Sequence, residues 1–124
     1  MSSTFKVAVV GIGSLGKEHA RIYADLAAQH QVEFAGVYDR VPEAARRVAD
    51  KLRVRTFATV AEAAAASDAL SIVTPTTTHF ELAQMLLQQG KHLLVEKPMT
   101  DNAAQAAELV QLAQQYGCVL QVGH

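Results

Sequence analysis

The sequence predicts an α/β protein, a doubly wound, parallel, six-stranded sheet held between two layers of helix. Three observations predict it. Apolar runs of strand type alternate with amphipathic helical patterns along the whole chain. The first run, Val7-Ala8-Val9-Val10, delivers the turn Gly11-Ile12-Gly13-Ser14-Leu15-Gly16, which has G-x-G-x-x-G spacing. A second run ends at an acid, Asp39, roughly 20 residues further on.

The elements follow in order. Residues 5–10 are continuously apolar-rich, as a strand buried on both faces requires. Residues 14–30 carry Leu15, His19, Ile22, Tyr23 and Leu26 on one helical face. Residues 32–38 form the second strand, and Pro42 suits the first turn of the next helix, where its missing N–H does no harm. Ala45, Val48, Ala49 and Leu52 line that helix's inner face. Residues 54–57 are a short third strand, and Thr59 to Glu62 have capping-box spacing at the head of an alanine-rich helix. Residues 69–73 are the fourth strand and end in Thr74-Pro75. Thr78 to Glu81 repeat the capping box, and Gly90 stops the helix they open. Residues 91–95 are the fifth strand and run into Glu96-Lys97-Pro98. Asn102 with Gln105 caps the last helix, whose Ala106, Leu109, Val110 and Ala113 face inward. Gly117 ends it, and residues 118–122 are the sixth strand, with Cys118 at its start. Right-handed crossovers then give the strand order 3-2-1-4-5-6, with ligand at the carboxyl ends of the strands.

Composition narrows the function. The chain has 124 residues, half of them hydrophobic and 19% charged, which suits a globular domain with a real core. Eleven basic and twelve acidic residues nearly cancel, which gives nucleic acid or an anionic membrane no electrostatic hold. No apolar run approaches the roughly 20 residues that span a bilayer. The N-terminus lacks a signal peptide's apolar core, so a cytoplasmic protein is expected. A lone cysteine, Cys118, agrees with a reducing compartment. No pair of histidines has metal-ligand spacing and Cys118 stands alone, so no metal is expected.

The glycine turn and Asp39 point to a dinucleotide in a Rossmann fold. Gly11 permits the tight turn, Gly13 lets backbone approach a pyrophosphate, and Gly16 lets helix pack on strand. Ile12, Ser14 and Leu15 lie in the same turn and at the start of a helix, whose free N–H groups and positive dipole end suit phosphate. Asp39 is placed to accept hydrogen bonds from a ribose 2′-hydroxyl, though it is also a candidate cap for the helix at Pro42. Its charge would repel a 2′-phosphate, so NAD is expected over NADP, while the neighbouring Arg40 could accept that phosphate or stack on adenine. Lys97, beyond the fifth strand, falls at the nicotinamide end. Its ammonium could bind a substrate hydroxyl or polarise the carbonyl that hydride transfer creates.

Taken together, Val9 to Gly16, His19, Thr74-Pro75 with His79, Glu96-Lys97-Pro98 and the terminal Val122-Gly123-His124 make the chain resemble the Gfo/Idh/MocA oxidoreductases. The likeness covers nearly the whole chain but only the N-terminal half of a family member. It implies a two-domain dehydrogenase acting on a sugar, cyclitol or nucleotide-linked sugar, with UDP-linked amino sugars suggested by the Val-Gly-His ending. It also implies that the Thr74-Pro75 loop borders the cofactor, that His79 orders this loop or touches the ligand, and that Glu96 positions the nicotinamide ribose or Lys97. Lys97 would contact the reacting hydroxyl, and the Lys97-Pro98 peptide is cis in some such proteins. Thr76 departs from the asparagine many members carry there. His19 is expected to pack beneath the glycine turn, while His30 and His92 face solvent.

The expected organisation is thus a dinucleotide-binding domain over residues 1–124, with the substrate domain and its acid/base residue outside this chain. On its own the chain is expected to bind cofactor, turn over little substrate, and self-associate through the surface meant for its missing partner. The competing reading is a stand-alone NAD(H)-binding regulatory or interaction module.

Overall fold

The computed structural model of the protein describes residues 5–123. The strands are β1 (Lys6–Val10), β2 (Glu33–Tyr38), β3 (Arg55–Thr56), β4 (Ala69–Ile72), β5 (His92–Val95) and β6 (Leu120–Val122). The helices are α1 (Ser14–Ala28), α2 (Pro42–Leu52), α3 (Val60–Ala65), α4 (His79–Gln88) and α5 (Ala103–Gln115), with a 3-10 turn at Thr76–Thr78. All strand pairs are parallel, in the order β3-β2-β1-β4-β5-β6. The expected doubly wound Rossmann sheet is therefore the observed one.

The alternation of β1 divides the core in two. Val7 and Val9 join Phe34, Val37, Ala20, Ala45, Val48 and Ala49 beneath α1 and α2. Ala8 and Val10 join Leu70, Ile72, Leu93, Val95, Leu86, Leu87 and Leu109 beneath α3, α4 and α5. Each fully buried leucine is worth about 2 kcal/mol over leaving it in water. Because β1 is sealed on both faces, its sequence is continuously apolar rather than alternating.

Several local expectations need correction. The inner face of α1 is Gly16 and Ala20, flanked by the half-buried Tyr23, Ala24 and Ala27, whereas Leu15 and Ile22 are 56% and 47% exposed. A helix lying this close to its sheet takes small residues inside, so the larger apolar side chains do not mark the packed face. On α5, Leu109 and Ala113 are buried as expected, but Val110 faces out. Thr78 holds the N-cap position of α4, but its side chain makes no capping bond. It sits in the 3-10 turn, donates its hydroxyl to the Pro75 carbonyl at 2.6 Å, and pairs with the Thr74 hydroxyl. Cys118 precedes β6 and is half-buried, and His92 accepts a hydrogen bond at Nδ1 from the Val119 N–H.

The other caps form as expected. Thr59 accepts from the Glu62 N–H, while the Glu62 carboxylate reaches back one residue further than a standard box, to the Ala58 N–H. Asn102 accepts from the N–H groups of Ala104 and Gln105. Among the described residues no helix is long and apolar enough to cross a membrane. The terminal His124 lies outside the described residues.

Candidate functional site

The sheet reverses its winding between β1 and β4, and a cleft of about 1000 Å³ opens there at the carboxyl ends of the strands. This is where an open α/β sheet offers ligand space, because the crossovers on either side diverge. The hydrogen-bond ladder continues one step beyond the strands. Gly11 N–H donates to Tyr38 O, Val73 N–H to Val10 O, Glu96 N–H to Ile72 O and Gly123 N–H to Val95 O. That last rung brings the glycine turn, the threonine loop and Glu96-Lys97 to one level around the cleft.

The glycine turn forms its floor. Gly11 has φ +99°, a conformation L side chains rarely adopt, and a Cβ there would lie 2.6 Å from the Val73 carbonyl oxygen. Gly13 faces open space, with nothing within 4 Å of where its Cβ would stand. Gly16 is buried, and a Cβ there would collide with the Gly11 carbonyl. Gly16 therefore shapes the turn from beneath, while Gly11, Ile12, Gly13, Ser14 and Leu15 line the cleft. The first backbone bond of α1 runs from Lys17 N–H to Gly13 O, and no side chain caps the helix. The N–H groups of Ser14, Leu15 and Gly16 precede that bond, so this helix end is a ready receptor for an anion.

Asp39 is not the cap of α2; that position is Val41. Its carboxylate instead joins two loops, accepting from the Ile12 N–H at 2.7 Å and from the Val41 N–H at 2.9 Å. A carboxylate has about four acceptor positions, so these bonds leave room for ligand hydroxyls. Arg40 is exposed at the rim of the cleft. Tyr38, Val60, Leu82 and Met85 give the cleft an apolar wall that the sequence reading did not name. The only sequence signal for Leu82 and Met85 was their three-residue spacing on α4, which equally suits a core face.

On the far side, Thr74, Pro75, His79, Glu96 and Lys97 complete the lining. His79 is 1% exposed and is wedged between two loops. Its Nε2 lies 2.8 Å from the Thr74 carbonyl, and its Nδ1 lies 3.1 Å from the carbonyls of both Pro98 and Met99. It links the threonine loop to the segment after Lys97, whose Lys97-Pro98 peptide is cis. His19 does more than pack under the turn. Its Nδ1 is 3.0 Å from Ser71 Oγ, and its Nε2 is 2.7 Å from Glu96 Oε2. Ser71 is buried on β4 and also pairs with the Tyr23 hydroxyl at 2.6 Å. Burial holds the Tyr23 phenol above its ordinary pKa, with the Ser71 bond pulling the other way. Among the described residues no group of three or more His, Cys, Asp or Glu side chains is placed to hold a metal ion.

Comparison with known proteins accords with this geometry. Residues 5–124 match the family model for Gfo/Idh/MocA, an oxidoreductase family with an NAD-binding Rossmann fold. The chain is 43% identical over 119 residues to the UDP-N-acetylglucosamine 3-dehydrogenase of Acidithiobacillus ferrooxidans, covering 96% of this chain and 36% of that protein. A solved structure of that enzyme superposes with a TM-score of 0.91 at 41% identity, covering 99% of this chain and 39% of the other. GenD2 of gentamicin A biosynthesis, solved in complex with NAD, superposes at 0.90 with 32% identity, covering 99% of this chain and 35% of the other. Inositol 2-dehydrogenase of Rhizobium meliloti is 32% identical over 122 residues, covering 97% of this chain and 36% of that protein. The chain thus spans little more than a third of the relatives it matches. Its sheet, its glycine turn and the match over residues 5–124 place it in the Gfo/Idh/MocA oxidoreductase family, as that family's NAD-binding Rossmann fold.

Proposed function

We propose that residues 1–124 form the cofactor domain of a dehydrogenase acting on a hydroxyl of a sugar, cyclitol or nucleotide-linked sugar. The observation that carries this reading is the uncapped α1 N-terminus, opening beside Asp39 on one side and Glu96-Lys97 on the other. Those features match the successive parts of a dinucleotide. The backbone N–H groups of Ser14 and Leu15 would hold the diphosphate, which can approach because Gly13 carries no side chain. The Asp39 carboxylate would accept from the adenosine ribose hydroxyls, and its charge would disfavour a 2′-phosphate. Tyr38, Val60, Leu82 and Met85 offer an apolar slot for a base, with Arg40 at its rim. The bound nicotinamide would supply a hydride acceptor or donor at the Lys97 end.

Lys97 would bind the reacting oxygen and stabilise negative charge developing on it, while Glu96 would position the nicotinamide ribose or Lys97. His79 contributes by filling the space between the two loops; a neutral ring donates from one nitrogen, either to the Thr74 carbonyl or to the Pro98 and Met99 carbonyls. Substrate binding and the remaining acid/base group would come from a second domain, because the relatives are far longer than the part matched here. The chain by itself is accordingly expected to bind NAD(H) and to oxidise sugars poorly. Titration calorimetry with NADH and with NADPH tests the reading. Tighter binding of NADH, with that preference lost in Asp39→Ala, is the expected result; failure to bind either dinucleotide, alone and within the longer protein, would overturn it.

A further inference from the structure

We infer that His19 is a positioning residue for Glu96, set in one tautomer by a hydrogen-bond chain that begins at Tyr23. The chain's direction follows from counting hydrogens. An ionised carboxylate only accepts, so the 2.7 Å contact to Glu96 Oε2 requires a hydrogen on His19 Nε2. A neutral ring then has a bare Nδ1, which accepts the hydroxyl hydrogen of Ser71 at 3.0 Å. With that hydrogen spent, Ser71 Oγ accepts from the Tyr23 hydroxyl at 2.6 Å. Every hydrogen has one acceptor. The opposite direction would put a second hydrogen on His19 Nδ1, turn the Ser71 hydroxyl toward Tyr23, and leave the phenol hydrogen of the half-buried Tyr23 without an acceptor among the described residues, since Ser71 Oγ is its one partner there.

The consequence is at Glu96. Its Oε2 is held by His19, and Gly123 closes in beside it, where a Cβ would stand 2.9 Å from that oxygen. The carboxylate is fixed between a ring and a backbone at the edge of the cleft, next to Lys97. Oε1 makes no hydrogen bond among the described residues and is the oxygen left to accept from a ligand hydroxyl. Ser71 sits in the middle of β4 and is fully buried, which keeps the whole chain rigid. His19 thereby pre-orients an acceptor for the ribose hydroxyls beside the nicotinamide, a role that rests on the dinucleotide reading above.

Two readouts test it, and they fail separately. The first is the imidazole ¹⁵N spectrum of the whole chain without ligand. A single tautomer for His19 with hydrogen on Nε2, becoming a mixture in Ser71→Ala, is expected. Hydrogen on Nδ1, or on both nitrogens at neutral pH, would overturn the inference. The second compares the affinities of NADH, ADP-ribose and ADP for the wild-type chain and for His19→Leu and His19→Gln. His19→Leu should weaken NADH and ADP-ribose by about five- to tenfold, the effect of one ordinary hydrogen bond, and leave ADP unchanged. His19→Gln keeps a donor toward Glu96 and should recover part of the loss. Equal weakening of all three ligands would mark His19 as merely structural and refute the positioning role. If wild type binds none of the three, the dinucleotide reading fails, and the tautomer alone decides whether His19 orients Glu96.

Discussion

Replacing each of two glycines of one turn by alanine should have opposite consequences. Gly16 is buried where α1 crosses the turn. An added Cβ would overlap the Gly11 carbonyl oxygen and lie 2.8 Å from its carbon. Both atoms belong to the backbone, so no rotamer relieves the clash, and the helix must move away from β1. Overpacking costs about 1–3 kcal/mol where side chains yield, and a backbone obstacle belongs at or above the upper end. Alanine returns about 1 kcal/mol through its better helix propensity. The net loss for Gly16→Ala is therefore about 2 kcal/mol or more, or roughly 10 °C in Tm for a domain of this size. Gly13→Ala meets nothing within 4 Å. It sits at the N-cap, where alanine is poorer than glycine by at most about 1 kcal/mol, so the fold should survive. Its methyl group would stand where a diphosphate must approach, and NADH affinity should fall at least tenfold, about 1.4 kcal/mol. Differential scanning calorimetry and an NADH titration on the two variants give the result. A Gly16→Ala chain as stable as wild type would refute the packing argument, and a Gly13→Ala chain that binds NADH normally would refute the placing of the diphosphate.

Tyr23 makes stability depend on alkaline pH. Its folded pKa is raised by burial, so the unfolded chain loses the phenol proton first, and stability should fall as pH climbs above about 10. Urea midpoints measured from pH 8 to 11 should show that decline in wild type and a flatter course in Tyr23→Phe; parallel curves would contradict it. Asn102→Ala removes the acceptor for two N–H groups of α5 and should cost about 1 kcal/mol in chemical denaturation, with NADH affinity unaltered. Beyond the edge of α1, the sheet face over β4 to β6 carries a second cleft lined by Phe5, Tyr23, Leu94 and Val119. Exposed apolar surface of this kind favours self-association, so light scattering at millimolar concentration should detect a weak dimer, and a strictly monomeric chain would count against that surface being sticky.

The sequence by itself determined the order of strands and helices, because period-two and period-3.6 patterns are local and the glycine turn is contiguous. It also determined that Gly11 and Gly16 stand where a side chain would clash, which follows from one short turn, and the caps at Thr59 and Asn102, which act within four residues. It misjudged α1, where close approach to the sheet selects Gly16 and Ala20 rather than the larger apolar residues. It misjudged Thr78, because a 3-10 turn diverts that hydroxyl to the Pro75 carbonyl and so to a loop the spacing cannot reveal. Only the tertiary structure decided what the long-range groups do. His19 and Glu96 are far apart in the chain and meet because parallel strands β4 and β5 pair Ser71 with Leu94 and Ile72 with Val95, which sets Glu96 just beyond Ser71 beneath α1. Asp39 joins Ile12 to Val41 because β1 and β2 end side by side. Hydrogen bonds between distant residues carry no periodicity, so nothing in a linear pattern marks them before the sheet has formed.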